Sequence, residues 1–482
     1  MTLQPDKEHR DKEHRDAAAR RLRRRPLGRY RYVRLRWRLL FALIDALGWC
    51  LLGPARLAER MLRKLRPPAT PRSILVVQLD HFGDAVLSTG FLRALGDYYP
   101  NASIEVLAAP WNRDILAACP EVDRLHVMQS PRFSRTRRWA WLVETLRWGW
   151  KLRRRRFDLA IDVRGEFPQA LILWLCGARR RLGWRSGGGG FLLTDSPLFV
   201  QGRHEVDSRR ALLETLGAKV GDHDVRPSFQ PSDAARRWVD EWLDGWPRRS
   251  LTAADDRSRS SPKRLVVLHL GAGTPAKRWP SRHWGEVARR LVVAHRCRVV
   301  LIGDGADCRA AQEVIAGSDQ QGLVDAAGKL NIDRLAALFA RAALVVGADS
   351  GPAHLAAAVG APVVALFSGT NDPKQWRPWG ESVCVLRHAV ACSPCHRQVC
   401  PLADHPCMNQ LTPEVVLQTV AGMLDSIQRI ENPIEDPIES PMEDPMENPF
   451  GDNHIEDNHV DEGSVERAPH QPSRAVKQVS SV

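Results

Sequence analysis

Short, nearly uninterrupted apolar runs alternate along this chain with longer stretches of helical periodicity. Ser73-Ile-Leu-Val-Val-Gln-Leu79 is the first such run. Its β-branched content and lack of polar alternation predict a parallel strand buried on both faces. A helical pattern follows from Ala85 to Leu95, and Ile104–Ala109 and Leu159–Val163 read as further strands. After a polar, mostly unpatterned stretch over 247–262, the scheme restarts with Leu265–Leu270, Arg298–Ile302, Leu344–Val346 and Pro362–Phe367. Strands alternating with helices predict βαβ units, hence an α/β fold of two doubly wound halves, 73–246 and 263–429, joined by a linker over 247–262. Two such halves leave a cleft between them, and ligands of these sheets bind beyond the carboxyl ends of the strands.

Charge changes the picture at both ends. Residues 1–72 carry a net charge of +13, residues 430–482 carry −10, and the body between them +11. The head opens with a near-duplicated Asp-Lys-Glu-His-Arg and continues through Arg20 to Arg38 into an apolar run, Leu39–Leu52. No apolar run reaches 18 residues, and this one contains Asp45, so it reads as too short to span a bilayer. With Trp37, Trp49 and arginine flanks it suits a helix lying in an anionic membrane interface. A helix packed on the body, or a disordered basic arm, would fit the same residues. The tail repeats Ile/Met-Glu-Asn/Asp/Ser-Pro five times between Ile430 and Pro449. Proline at every fourth position blocks a helix, and acidic sequence without an apolar face builds no core, so a disordered tail is expected. Nothing near the start reads as a cleavable signal peptide, which makes the cytoplasm the expected compartment and the Asn101-Ala-Ser103 sequon irrelevant.

Three strand-to-helix junctions carry candidate chemistry. In Asp80-His-Phe-Gly83-Asp84, Gly83 suits a tight turn and Asp84 opens a helix at the strand's carboxyl edge. There its carboxylate suits a proton acceptor for a substrate hydroxyl, or simply a helix N-cap. In Gly271-Ala-Gly273-Thr274-Pro-Ala-Lys277, small residues let backbone N–H groups approach phosphate oxygens and Lys277 supplies a point charge, though an ordinary turn reads the same. In Asp349-Ser350-Gly351-Pro352-Ala-His354, a helix N-terminus offers free N–H groups to an anion, with Asp349 beside it. His354, one turn in, suits either a ligand contact or helix packing. The Walker spacing and the Gly-x-Gly-x-x-Gly dinucleotide pattern are both missing, which argues against a nicotinamide-dependent oxidoreductase.

Taken in order, Ile74–Asp84, Asp158–Gly165, His269–Pro280 and Asp349–Leu355 resemble glycosyltransferase family 9, the ADP-heptose:lipopolysaccharide heptosyltransferases. The resemblance spans about 73–429. It implies a GT-B fold, two Rossmann-like domains facing across a cleft, the first binding the acceptor and the second the nucleotide sugar. It implies Asp84 as general base of an inverting transfer. Lys277, Asp349, Ser350 and Gly351, with Gly271, Gly273, Thr274 and His354 beside them, then bind the donor, and Gly83, Asp162 and Arg164 lie on the acceptor side. Asp307 falls where the family has a Glu on the nucleotide ribose, one methylene longer. No cofactor or metal is implied, and the expected partners are a nucleotide sugar, a glycolipid acceptor and a membrane surface, for a monomeric peripheral enzyme. The contrasting reading is a non-catalytic scaffold that keeps the fold.

Two clusters remain. Residues 131–157 hold ten Lys+Arg interleaved with Trp139, Trp141, Trp148 and Trp150, which suits a phosphorylated lipid better than nucleic acid, or a solvated helix face with its tryptophans turned inward. Cys392, Cys395, Cys400 and Cys407 are spaced compactly for a structural zinc site, with structural thiols as the other reading.

Overall fold

The computed structural model of the chain describes residues 30–32, 34–65, 69–129, 140–221, 223–246, 264–316, 322–431 and 478–480. The linker over 247–262 and nearly all of the acidic tail lie outside these residues.

The first half is a parallel sheet whose core strand, β1 (Ser73–Gln78), is buried from its second residue onward. It pairs on one side with β2 (Ser103–Ala108), which pairs with β3 (Arg124–Val127), and on the other with β4 (Leu159–Asp162), which pairs with β5 (Arg180–Leu182). The second half repeats the plan. There β6 (Leu265–His269) lies between β7 (Arg298–Ile302) and β9 (Leu344–Ala348); β8 (Leu323–Asp325) extends one edge, and β10 (Val363–Phe367) with β11 (Val383–Arg387) the other. Chain order therefore reverses between β1 and β4 in one sheet and between β6 and β9 in the other. These are the switch points where doubly wound sheets open a crevice beyond their carboxyl ends. The two halves of the GT-B expectation are thus both present. At the far edge Gln478–Ser480, β12, joins β3, so these three residues depart from the expected disordered tail. An open edge strand offers unpaired backbone groups, which is what such a segment satisfies.

Seven helices position the site and its surroundings: α1 (Leu35–Leu65), α2 (Phe82–Tyr98), α3 (Ala140–Arg153), α4 (Phe167–Leu175), α5 (Glu205–Leu216), α6 (Ser281–Val293) and α7 (Gly351–Ala358). The helix Asp233–Asp244 packs against the second half: Ser232 bonds Asp333, Arg341 pairs with Asp240 at 2.5 Å, and Arg334 stacks 4.0 Å over Trp238. The chain crosses between halves before the 247–262 linker.

The apolar run of the head proves part of a helix 31 residues long, and its stretch Leu35–Glu59 is long and apolar enough to cross a membrane by length and composition. That corrects the expectation of a run too short to span. The helix continues through Pro54 because Ala55, Arg56, Leu57, Ala58 and Glu59 are nearly all strong helix formers. Asp45 does not interrupt it: the carboxylate is 2% exposed, accepting the Gly189 N–H at 2.7 Å and the Tyr30 hydroxyl at 2.8 Å.

Candidate active site

The switch point of the first sheet brings together the ends of β1 and β4. His81 is the N-cap of α2, with extended backbone, and Asp84 falls in the helix's first turn. Asp84 is therefore not the N-cap. Its side chain is 4% exposed and turned onto two guanidinium groups: Arg164 Nη1 donates to Oδ1 at 2.8 Å, and Arg209 Nη2 lies 3.5 Å away. Burial pushes the Asp84 pKa up, but the charges of Arg164 and Arg209 outweigh it and hold the group below the usual carboxylate range. Asp84 is a fixed anion at neutral pH.

Arg164 is delivered by the loop after β4, and Asp162 shapes that loop. Asp162 accepts the backbone N–H groups of Arg164 at 3.0 Å, Gly165 at 2.8 Å and Glu166 at 3.2 Å. Its carboxylate is thus spent on the turn, with burial pushing its pKa up to about 7. Arg164 also reaches Asp80 at 3.6 Å and stacks 5.3 Å over the ring of Trp376, a residue of the second half. Arg209 sits on α5, 1% exposed, and donates to Ser88 Oγ at 2.8 Å and to the Glu205 carbonyl at 2.9 Å.

The second sheet contributes from the ends of β6 and β9. Lys277 Nζ donates to Asp349 Oδ2 at 2.7 Å and to the Asp349 carbonyl at 3.2 Å, and Asn371 donates to the same Oδ2 at 2.7 Å. Ser350 is the N-cap of α7 by position, but its hydroxyl turns back to the Ala348 carbonyl at 3.0 Å and to His269 Nδ1 at 3.2 Å. The first N–H groups of α7 are left for other acceptors. His354 is 6% exposed, its Nδ1 has no partner, and burial pulls its pKa down to about 4, so it is neutral at pH 7. The Thr274 hydroxyl is likewise buried without a partner. Gly273 faces open space, whereas a Cβ at Gly271 would collide with Asp307. Asp307 closes a capping box on the turn Gly305–Asp307, accepting the Asp304 N–H at 3.0 Å, and pairs with Arg278 at 3.1 Å.

The two sheets meet here. A Cβ on Gly83 would stand 2.9 Å from His354 Cδ2, and one on Gly351 would collide with the Phe82 ring. Gly83 is thus needed for close approach of α2 and α7, not for the turn the sequence suggested, since its φ is not in the left-handed region. Across the same boundary Gln375 donates to Glu205 at 2.9 Å, His204 bonds the Arg377 carbonyl at 2.9 Å, and Arg226 pairs with Glu381 at 2.6 Å. Asp84, His354 and Asp349 are all nearly buried in this arrangement.

The sequence located Asp84, Arg164, Lys277, Asp349, Ser350, Gly351 and His354, and the fold gathers them at the facing switch points. It missed Arg209, which lies 125 residues from Asp84 in the middle of a helix, and Trp376; neither stands in a local motif. Cys392, Cys395, Cys400 and Cys407 are free thiols, Cys392 exposed and Cys407 buried. Among the described residues no group of three or more His, Cys, Asp or Glu is arranged to hold a metal ion, so these cysteines do not assemble the zinc site considered above.

Comparison with known proteins agrees with the fold and the family resemblance. The profile of Glycosyltransferase family 9 (heptosyltransferase) matches residues 145–405. Lipopolysaccharide heptosyltransferase 2 of Salmonella typhimurium is 28% identical over 355 residues, covering 73% of this chain and 98% of its own length. Lipopolysaccharide heptosyltransferase 3 of Escherichia coli is 28% identical over 313 residues, 63% of this chain and 84% of its own. The solved structure of E. coli ADP-heptose lps heptosyltransferase II superposes with a TM-score of 0.58 at 25% identity, covering 74% of this chain and 99% of that one.

Proposed function

The chain belongs to glycosyltransferase family 9, and from that premise we propose that it moves a heptose from ADP-heptose to a lipopolysaccharide-core or related glycolipid acceptor, with inversion. It is a glycosyltransferase, and its relatives' names supply the sugar and acceptor class. The observation that carries the mechanism is the close approach of Phe82 and Gly83, the residues just before Asp84, to His354 and Gly351 at the start of α7 across the domain boundary.

Asp84 takes the proton of the acceptor hydroxyl as that oxygen bonds to the anomeric carbon and the bond to the diphosphate breaks. An acid held this low is a weak base, so its proton transfer comes late, when the hydroxyl has become acidic. Arg164 and Arg209 hold the carboxylate in place, and Asp162 holds Arg164, which makes Asp162 a positioning residue. The departing diphosphate gains negative charge, which Lys277 and the free N–H groups of α7 stabilise. Gly273 leaves the backbone open beside Lys277, and Thr274 and His354 offer unsatisfied polar atoms to the donor. Asp307, short and already capping its own turn, meets the nucleotide only by exchanging those bonds. A lipopolysaccharide-type acceptor, as in the relatives' names, supports a seat at the cytoplasmic face of the inner membrane as part of this proposal.

A panel of nucleotide-diphospho-sugars, read by thermal shift and by mass of the product on a delipidated core acceptor, tests this. ADP-heptose is expected to raise Tm and give transfer. A shift with another sugar nucleotide and none with ADP-heptose would overturn the donor assignment.

A further inference from the structure

We propose that α1 lies in the plane of an anionic membrane surface, its outer face in the lipid and its inner face clamping the acceptor-side loop. The acceptor reading above explains why a membrane is nearby, but the lipid contact stands on α1 itself.

The helix is apolar on two opposite sides. Its inner side buries Asp45 and Arg56, with Ile44, Trp49 and Leu52 packed on the core beneath. At 3.6 residues per turn, Leu35, Leu39, Leu43, Leu47 and Leu51 run along the other side, and all are more than half exposed. Leu57, Met61 and Leu65 continue that side beyond Pro54. Between Leu39 and Ala55 the only charged residue is Asp45, and it is turned inward. A helix facing water keeps polar residues on that side.

Two observations choose a lipid surface as the occupant. In sequence, cationic residues flank the apolar stretch, Arg34, Arg36 and Arg38 before it and Arg63, Lys64 and Arg66 after it, as anionic headgroups require. The same side of the first sheet also carries α3 and α4, which pack with α1 on Leu75 and Val77 and expose Trp150 and Trp174. Arg153 stacks 5.6 Å over Trp150, pairing an aromatic ring with a cation as at a bilayer interface.

The inner contacts exclude a spanning pose. Phe41 meets Phe167, Asp45 holds Gly189, Arg56 donates to the Phe191 and Leu192 carbonyls, and Glu59 pairs with Arg181 at 2.9 Å. From Phe41 to Glu59 is about 27 Å of helix, nearly the whole hydrocarbon thickness of about 30 Å. Crossing would carry this ion pair and loop into hydrocarbon, where such groups are costly. The arm before α1 ties the seat to the active site: Arg31 donates to the Arg164 and Gly165 carbonyls and Tyr32 to that of Gly187 at 2.9 Å.

The test is flotation of the full chain with vesicles of phosphatidylcholine alone or with phosphatidylglycerol, followed by alkaline carbonate extraction. Binding is expected to the anionic vesicles, at least tenfold weaker to neutral ones, and lost in carbonate. Leu43→Glu/Leu47→Glu/Leu51→Glu, all on the outer side, is expected to abolish binding while leaving Tm and ADP-heptose binding unchanged. Wild-type protein that fails to float, or that resists carbonate, overturns the proposal without any variant. Undiminished flotation of the triple variant would assign binding to the basic head alone. Sedimentation showing a wild-type dimer that the variant loses would assign the face to a second copy. Either of these outcomes overturns it, and donor binding, measured separately, reports on the transferase reading.

Discussion

Arg209 is the residue through which the account is most exposed, because its charge is almost wholly buried and faces both Asp84 and Glu205. Arg209→Met keeps most of the stem and removes the cation. Breaking a buried ion pair from one side costs about 3–5 kcal/mol, since the remaining carboxylate is left uncompensated. Here Arg164 still neutralises Asp84 at 2.8 Å and Gln375 still bonds Glu205 at 2.9 Å, so the low end, about 3 kcal/mol, is expected. For a domain of this size that is roughly 6–12 °C in Tm. The loss depends on pH. Asp84 titrates below its unfolded value of about 3.9 in the wild type, so its contribution is present above that value and fades as pH falls through the folded pKa. With one cation gone its pKa rises, and protonation relieves the variant first. The gap between wild type and variant should therefore be widest at pH 7.5 and narrow by pH 4. Differential scanning calorimetry at the two pH values reads both quantities. A Tm within about 2 °C of wild type at pH 7.5, or a gap independent of pH, refutes the reasoning.

Lys277→Ala removes a charge-assisted contact to the donor diphosphate, for which about 1.5–3 kcal/mol, or roughly 10–150-fold in affinity for ADP, is expected by calorimetric titration. An unchanged Kd would remove Lys277 from the donor site. His354 and His269 are both buried neutral with pKa values pulled down to about 4. Each contributes stability present above the ordinary value of about 6.5 and lost as pH falls toward 4, so His354→Gln should flatten the fall of Tm across that interval. A slope identical to wild type would show that His354 takes up its proton without penalty.

The core strands were legible because burial on both faces leaves a continuous apolar run, as in Ser73–Leu79 and Leu265–Leu270. The strands Arg124–Val127, Arg180–Leu182 and Leu323–Asp325 left no such signal: they are short, outlying strands that carry charged residues, and in the first two the partners are remote in sequence. His126 meets Glu105, and Arg181 meets Glu59 on α1. Asp84 was visible as a carboxylate at a strand end, but its pinning by Arg209 was not, since nothing local marks a mid-helix arginine as buried. Gly83 looked like a turn residue and Gly351 like part of an anion-binding helix start, whereas their glycine character serves the contact between the two halves. The length of α1 was hidden by Asp45 and Pro54, which count against a long helix until Gly189 and Tyr30 are seen to satisfy the carboxylate.

The central claim is that Asp84 takes the acceptor's proton while the donor is held from the other side by Lys277 and the start of α7. Asp84→Asn preserves shape and removes the base, and the decisive measurement is its transfer rate set beside its affinity for ADP-heptose. A fall of about 10²–10⁴-fold in transfer with donor Kd within twofold of wild type is predicted. Transfer at the wild-type rate would contradict it.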